Sequence, residues 1–297
     1  MPNSDLILVY GATGNTGSGV ASALLAQGRR VRALVRDEAK AAGLRAQGAQ
    51  IVVADVDRPE TLTDDLLDGV SGVYFVTWNG PTAHQQSQNL LHAIKRSGKA
   101  PHIVRLSGYA TLNSRIISEL AKCEDELKES GLPWTILKPT FFMQNVMMAA
   151  PTVRDQGCIY FDWGNGKAGM IDARDVVDCA VGALTGDTQA ITGETFILTG
   201  PASIGFADVA ATLSEVTGRT VQYVPVPHEA AIASMTAMGV PQWIAEGYGE
   251  LDDGFEHGFA DLTTKNVLAL SGHEPRNFER FARDYAEVFT PTMVPTP

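Results

Sequence analysis

LILVYGATGNTGSGVASALLAQ, Leu6 to Gln27, is the stretch that decides the fold. Leu6–Tyr10 is a short unbroken apolar run and predicts a buried strand. Gly11, Gly14 and Gly17 then follow at three-residue intervals, and Ser18–Gln27 is small, helical and stopped by Gly28. A glycine turn between a strand and a helix has a direct physical use. Gly11 permits the tight turn, Gly14 lets the backbone approach a pyrophosphate, and Gly17 lets the helix pack close to the sheet. The helix N-terminus presents N–H groups to the anion. Thr13, Asn15 and Thr16 add side-chain donors. The spacing is GxxGxxG rather than GxGxxG. On its own such a turn is also compatible with a purely structural strand–helix joint; in a βαβ setting it points to a dinucleotide.

Working outward, strand and helix signals alternate. Strands are expected at Val31–Val35, Gln50–Ala54, Gly72–Val76, His102–Ser107 and Trp134–Leu137. Helices are expected at Glu38–Ala46, from Pro59 through Leu62, Leu66 and Val70, at His84–Ser97 and at Asn113–Ser130. Continuous apolar strands alternating with helices predict a parallel sheet covered on both faces, hence an α/β doubly wound Rossmann sheet. After residue 140 the rhythm changes. Phe141–Ala150 is Met-rich, and Gly157–Met170 predicts loops or short strands. Asp172–Leu184 reads as a helix with Asp175 near its start, and Glu194–Leu198 as a strand returning to the main sheet. Phe206–Thr217 predicts a helix, Val221–Val226 a strand, and His228–Met238, Pro241–Leu251 and Pro275–Phe289 further helices. The expected organisation is a nucleotide-binding domain over 1–150 and a smaller C-terminal α/β substrate lobe over 151–297, with the strand near 194–199 belonging to the first. The tail TPTMVPTP is expected to be disordered.

The chain has 297 residues and a net charge of −11, with no basic block, which argues against nucleic acid. Three scattered cysteines, Cys123, Cys158 and Cys179, fit a reducing compartment. No apolar run approaches the ~20 residues of a membrane helix. The N-terminus runs straight into a strand without a basic leader. A cytoplasmic protein, monomer or homodimer, is the expectation.

The end of the second strand bears on cofactor choice. An acid there binds a ribose 2′-OH, whereas an Arg accommodates a 2′-phosphate. VRALV ends at Arg36, with Asp37 one residue later and Lys40 a turn further on, so NADP(H) is expected. The alternative has Arg36 in solvent and Asp37 on the ribose. Asp55 and Val56 follow the third strand at the sheet edge where an adenine would rest, although Asp55 equally suits a helix cap.

These features together resemble the NmrA-like branch of the atypical short-chain dehydrogenase/reductase family. The matching stretches are LILVYGATGNTG, VRALVRD, ADVDRPETL, HIVRLSG, ESGLPWTILKPTFFMQN, MIDARDVVD and GETFILTGP followed by FADVAATLSEVTGR. The resemblance implies an NADP(H)-binding Rossmann domain with a smaller C-terminal lobe. It places Thr77 and Trp78, then Ser107, Gly108 and Tyr109, along the cofactor, and Pro139, Thr140 and Phe141 near the nicotinamide. The family commonly has Arg before that proline. Here it is Lys138, read as a conservative surface or backbone-bonding change.

Ordinary short-chain dehydrogenases use a YxxxK pair, and none of the seven tyrosines is followed four residues later by Lys. Isoflavone-reductase-type relatives place a catalytic Lys on the helix after the fifth strand, which here suggests Lys122, for catalysis or ribose contact. The competing reading is a solvated Lys paired with Glu119 or Glu126. Tyr109 is a second candidate proton donor, or a packing residue. Trp78, Phe141, Phe142 and Trp163 either line an apolar or aromatic substrate pocket or pack the core. Asp172 and Asp175 read as turn and cap residues. Six histidines show no ligand spacing, so no metal site is expected.

The lead expectation is an NADPH-dependent reductase giving hydride to a small electrophile, a quinone, ketone, enone or imine, because the cofactor carries the chemistry. The alternative is a non-catalytic NADP(H) redox sensor acting through a protein partner.

Overall fold

The structure is a computed structural model, and it describes residues 6–111 and 114–291. Asn113, the expected start of a helix, and the tail after Pro291 lie outside the described residues.

Seven parallel strands form one sheet: β1 (Leu6–Tyr10), β2 (Arg30–Val35), β3 (Gln50–Val53), β4 (Val70–Val76), β5 (His102–Leu106), β6 (Trp134–Pro139) and, after a short separate strand β7 (Cys158–Phe161), β8 (Glu194–Leu198). Their order is β3-β2-β1-β4-β5-β6-β8, the doubly wound order with its reversal between β1 and β4. A crevice opens at that reversal, beyond the carboxyl ends of the strands. The sheet is buried on both faces, which is why its strands are apolar throughout rather than alternating.

On one face lie α1 (Gly17–Ala26), a short α2 (Ala42–Ala46) and, further along, α6 (Ala173–Thr185). On the other lie α3 (Ala83–Arg96) and α4 (Arg115–Glu129). The α4 sequence repeats Ile116, Leu120, Cys123 and Leu127 at helical spacing, and it buries those side chains together with Glu124. Each Leu or Ile so buried contributes about 1.5–3 kcal/mol.

The remaining elements are α5 (Ala150–Gln156), α7 (Thr188–Ile191), α8 (Phe206–Thr217), β9 (Gln222–Pro225), α9 (His228–Ala237), α10 (Gln242–Glu256), α11 (Asn266–Ser271), α12 (Phe278–Asp284) and α13 (Ala286–Phe289). β7 and β9 pair in parallel as a second, two-stranded sheet. Around it Phe141, Trp163, Phe206 and Phe255 form a second core, with Trp163 and Phe255 stacked at 4.0 Å between ring centroids. The second half of the chain also returns to the large sheet. Beyond β8, α6 packs on α1, and α11 packs on α6 and β8.

Three element expectations change. Pro59–Val70 is not one helix: two 3₁₀ turns cover Pro59–Thr61 and Asp64–Leu67, and Val70 already begins β4. Leu62, Leu66 and Val70 match helical spacing only because all three point into one core. Glu38–Ala46 splits into a 3₁₀ turn, Glu38–Ala41, and α2. Pro275–Phe289 is broken into α12 and α13, and α11 was unanticipated. Among the described residues no helix is long and apolar enough to cross a membrane.

Candidate functional site

A cleft of about 820 Å³ runs along the carboxyl ends of β1, β2, β4 and β5. Its floor is the glycine turn. Gly11 adopts φ +76°, and a Cβ there would lie 2.7 Å from Val76 Cγ1. At Gly17 a Cβ would run into the carbonyl of Gly11, so the helix starts that close to the turn only because no side chain intervenes. The α1 N-terminus has no side-chain cap and no acidic residue in its first turn. Thr16, the cap residue, instead accepts the Tyr74 hydroxyl at 2.8 Å. The positive end of the helix dipole is thereby left to a ligand.

Gly11, Thr13, Gly14, Asn15, Thr16 and Gly17 all border the cleft, as do Thr77, Trp78 and Ser107. Arg36 and Lys40 stand exposed at the mouth beyond β2. Asp37 does not border it: its carboxylate accepts the Ala39 N–H at 2.9 Å and caps the next turn. The basic side chains, not the acid, are offered to whatever occupies that end.

Other expected residues stand outside these walls. Asp55 accepts the Asp57 N–H and closes a local turn with Arg58, while Val56 is buried in the core. Asp57, two residues on, borders the cleft and accepts Gln86 Nε2 at 3.0 Å. Pro139 is buried at the end of β6, and the Thr140 hydroxyl donates to the Gly169 carbonyl at 2.6 Å. Phe141 turns into the second core, edge-on to Trp163 at 4.6 Å, and its neighbour Phe142 faces the cleft. Lys122 is a further correction. It lies on the outer face of α4, exposed, with Nζ 2.5 Å from Glu119. The apolar stripe of α4 carried the signal for this, since Lys122 falls off that stripe. Tyr109 packs its ring against Phe259 with centroids 6.0 Å apart and donates its backbone N–H to the Pro139 carbonyl, and it does not border the cleft.

Residues that the sequence reading missed fill the walls: Tyr10, Asn79, Thr82, Gln86, Leu106 and Leu120. Burial, then the Asp57 carboxylate, pushes the Tyr10 hydroxyl up to about 12, so it remains a phenol. Beneath the cleft Arg105 is wholly buried. Its Nη2 donates to Thr77 Oγ1 at 3.2 Å, its guanidinium lies 4.7 Å over the Phe75 ring, and burial lowers its pKa. Lys138, expected at the surface or on a backbone group, is largely buried and pairs with the Glu124 carboxylate at 2.9 Å.

A second cavity of about 680 Å³ lies between α4, α9 and α10. Phe259, the ring on which Tyr109 stacks, is part of its wall, together with Ile232 and Arg115. Arg115 ties α4 to α10 through Glu246 and Glu250. His228, also in that wall, has its ring 2.9 Å from Asp162, and Trp163 donates to buried Asp252 at 2.6 Å.

Asp175 is not a cap. It is fully buried and accepts the Arg276 backbone N–H at 2.7 Å and its guanidinium; the cap is Asp172, which accepts the Arg174 N–H. Asp175, Asp178 and His273 bring ligand atoms within 4.8 Å of one another, but the cation among them is Arg276.

The family model for the NmrA-like family matches residues 3–281. The chain belongs to the NmrA-like family. Among curated relatives of this NmrA-like chain, the NAD(P)H azoreductase of Xenophilus azovorans is 36% identical over 287 residues, covering 96% of this chain and 99% of that one. The Escherichia coli NADPH-dependent quinone oxidoreductase QOR2, solved with NADPH, superposes with a TM-score of 0.85 at 24% identity, covering 94% of this chain and 99% of its own. The Citrobacter triphenylmethane reductase solved with NADP(H) gives a TM-score of 0.80 at 25% identity, over 92% and 98% of the two chains.

Proposed function

We propose that this NmrA-like chain is an NADPH-dependent reductase that delivers hydride to a small, apolar or aromatic electrophile. The observation that carries the cofactor assignment is the mouth of the cleft: Arg36 and Lys40 are exposed there while Asp37 is committed to the Ala39 N–H. A 2′-phosphate fits two cations at a mouth from which the Asp37 carboxylate is turned away. The glycine turn and uncapped α1 N-terminus suit the pyrophosphate, since the helix starts close against the turn only because Gly11 and Gly17 carry no side chains, and its first N–H groups have no side-chain cap. The relatives' names and the NADP(H) complexes of the similar structures support the same reading.

When bound, NADPH supplies the hydride. The protein's part is to place the electrophile and exclude water. Leu120, Phe142 and Trp78 give the cleft an apolar wall on which a flat conjugated molecule can lie. No Tyr–Lys pair is available, and Lys122 faces solvent. Quinones suit such a site because their reduced anions are stable and take a proton from water. Ketones, enones, imines and azo compounds form more basic anions and ask more of the protein.

The test is NADPH consumption, followed by absorbance, against a panel of quinones, aryl ketones, enones, cyclic imines and azo dyes, with NADH in parallel. Turnover with NADPH in at least one class is the expected result. Tight NADPH binding with no turnover across the panel would contradict it and favour a sensor that works through a protein partner.

A further inference from the structure

Three side chains from three elements form one hydrogen-bonded line that begins at the cleft wall. Ser107, just past β5, borders the cleft. Its hydroxyl donates to Glu124 Oε1 on α4 at 2.5 Å. Glu124 is buried, and its two oxygens take Lys138 Nζ, on β6, at 2.9 and 3.1 Å. Lys138 keeps 19% of its side chain accessible, and Lys128 approaches the Glu124 carboxylate at 3.7 Å from the outer side. Buried Arg105 also faces this carboxylate, from β5.

A carboxylate is expensive to bury, and one cation would be enough to pair it. Here the carboxylate also accepts a hydrogen bond from the cleft hydroxyl. In this arrangement the Ser107 proton points to Glu124, on a path that leads to a cation with access to water, and it can turn to the cleft only when the carboxylate is itself protonated.

We propose that Ser107, Glu124 and Lys138 form a proton relay that finishes the reduction, with Ser107 the catalytic residue and Glu124 and Lys138 positioning and resupplying it. The idea rests on the reductase reading above. Bound NADPH would supply the hydride that bonds to the electrophilic atom of a C=O, C=N or N=N group. The π electron pair moves to the partner heteroatom, which takes the Ser107 Oγ proton. In the same event Lys138 Nζ passes a proton to Glu124, the Glu124 carboxyl donates its proton to Oγ while the Ser107 hydroxyl turns its own to the heteroatom, and Lys138 regains one from water. The electrophile gains one hydride and one proton, and the three side chains end as they began. The substrates that need this relay are those whose reduced anion is strongly basic, ketones, imines and azo compounds, rather than quinones.

The test uses Ser107→Ala, Glu124→Gln, Lys138→Arg and Lys138→Met in the full chain. Lys138→Arg is the most informative, because an Arg keeps the charge and the ion pair but does not release a proton. For Ser107→Ala and Lys138→Arg, kcat with an aryl ketone or azo dye should fall by about 100-fold, within the range of general acid catalysis. For Lys138→Arg, whose side chain is outside the cleft wall, quinone turnover should change by no more than about threefold, and NADPH affinity, measured by fluorescence titration, should stay close to that of the unmodified protein. A readout without cofactor is isotope-edited infrared spectroscopy of the Glu124 carboxylate, whose band should shift in Ser107→Ala and in Lys138→Met and vanish in Glu124→Gln. Equal losses on quinone and ketone, an undiminished rate in Lys138→Arg, or a Glu124 band indifferent to Ser107→Ala would overturn the relay while leaving the reductase standing. Turnover of quinones alone would overturn it too, since a working relay serves the basic anions. A protein that binds NADPH and reduces nothing would remove both.

Discussion

Arg36 is where residue chemistry and function meet most simply: an exposed guanidinium beyond β2 beside a carboxylate occupied elsewhere. Arg36→Ala removes a charge-assisted contact, so NADPH affinity should fall by about 10- to 100-fold while NADH affinity stays nearly constant. Fluorescence titrations with both cofactors check this, and equal losses would point to a different 2′ partner. The glycine turn was fully legible in the sequence because each glycine answers a local steric demand, visible at Gly11 and Gly17. Phe142 was not. Whether Phe141 or Phe142 faces the cleft depends on how the chain leaves β6, and Phe141 is taken by the ring of Trp163, a partner distant in sequence. Asp57 escaped for the same reason, because its place is set by Gln86 of α3.

At the scale of elements, α4 shows what periodicity tells and what motif analogy obscures. The Ile116, Leu120, Cys123, Leu127 stripe places Glu124 on the buried side and Lys122 about 200° round the helix from it. Following the stripe leads to Glu124; following the family pattern leads to Lys122. Lys122→Ala should accordingly leave turnover within about twofold, because an exposed pair with Glu119 contributes little. A collapse of kcat would restore Lys122 to the chemistry. The Pro59–Val70 segment erred in the opposite direction, since helical spacing there reflects a shared core rather than a helix. The C-terminal segment has a buried ionic anchor in Asp175 to Arg276, beside Asp178 to Arg276 and Arg174 to Asp284. Asp175→Ala leaves that guanidinium without its buried partner and should cost about 3 kcal/mol. Thermal unfolding should show it as a fall in Tm of about 2–4 °C per kcal/mol.

Over the whole molecule, two cores are joined by a chain that returns to the sheet through α6, β8 and α11. The Rossmann half was readable because its contacts follow the order of the chain. The second core was not, because Phe141, Trp163, Phe206 and Phe255 meet across more than a hundred residues. Inside that core lies a pH-sensitive element. Burial, then the Asp162 carboxylate, raises the pKa of Asp252 to about 8, with Trp163 and His228 as its other polar neighbours. Asp252 therefore holds a proton in the fold that it loses when unfolded above its ordinary range. Folding binds that proton, so stability declines as pH rises from the ordinary carboxylate range toward the raised value. Asp252→Asn mimics the protonated form. It should flatten this decline and raise Tm near pH 8 by a few degrees in thermal melts. An unchanged pH profile would show that Asp252 is not its source.

The central claim is that this fold brings a nicotinamide and an electrophile into hydride contact. The most direct measurement is isotopic: NADPH deuterated at the transferable position, incubated with the protein and the best carbon-centred electrophile of the panel, and the product read by mass spectrometry. A ketone or imine is the clean case, because carbon keeps the label. One deuterium on the reduced carbon is the predicted result. Product that carries hydrogen only from solvent at that carbon, or no product at all while NADPH is held tightly, would contradict the account.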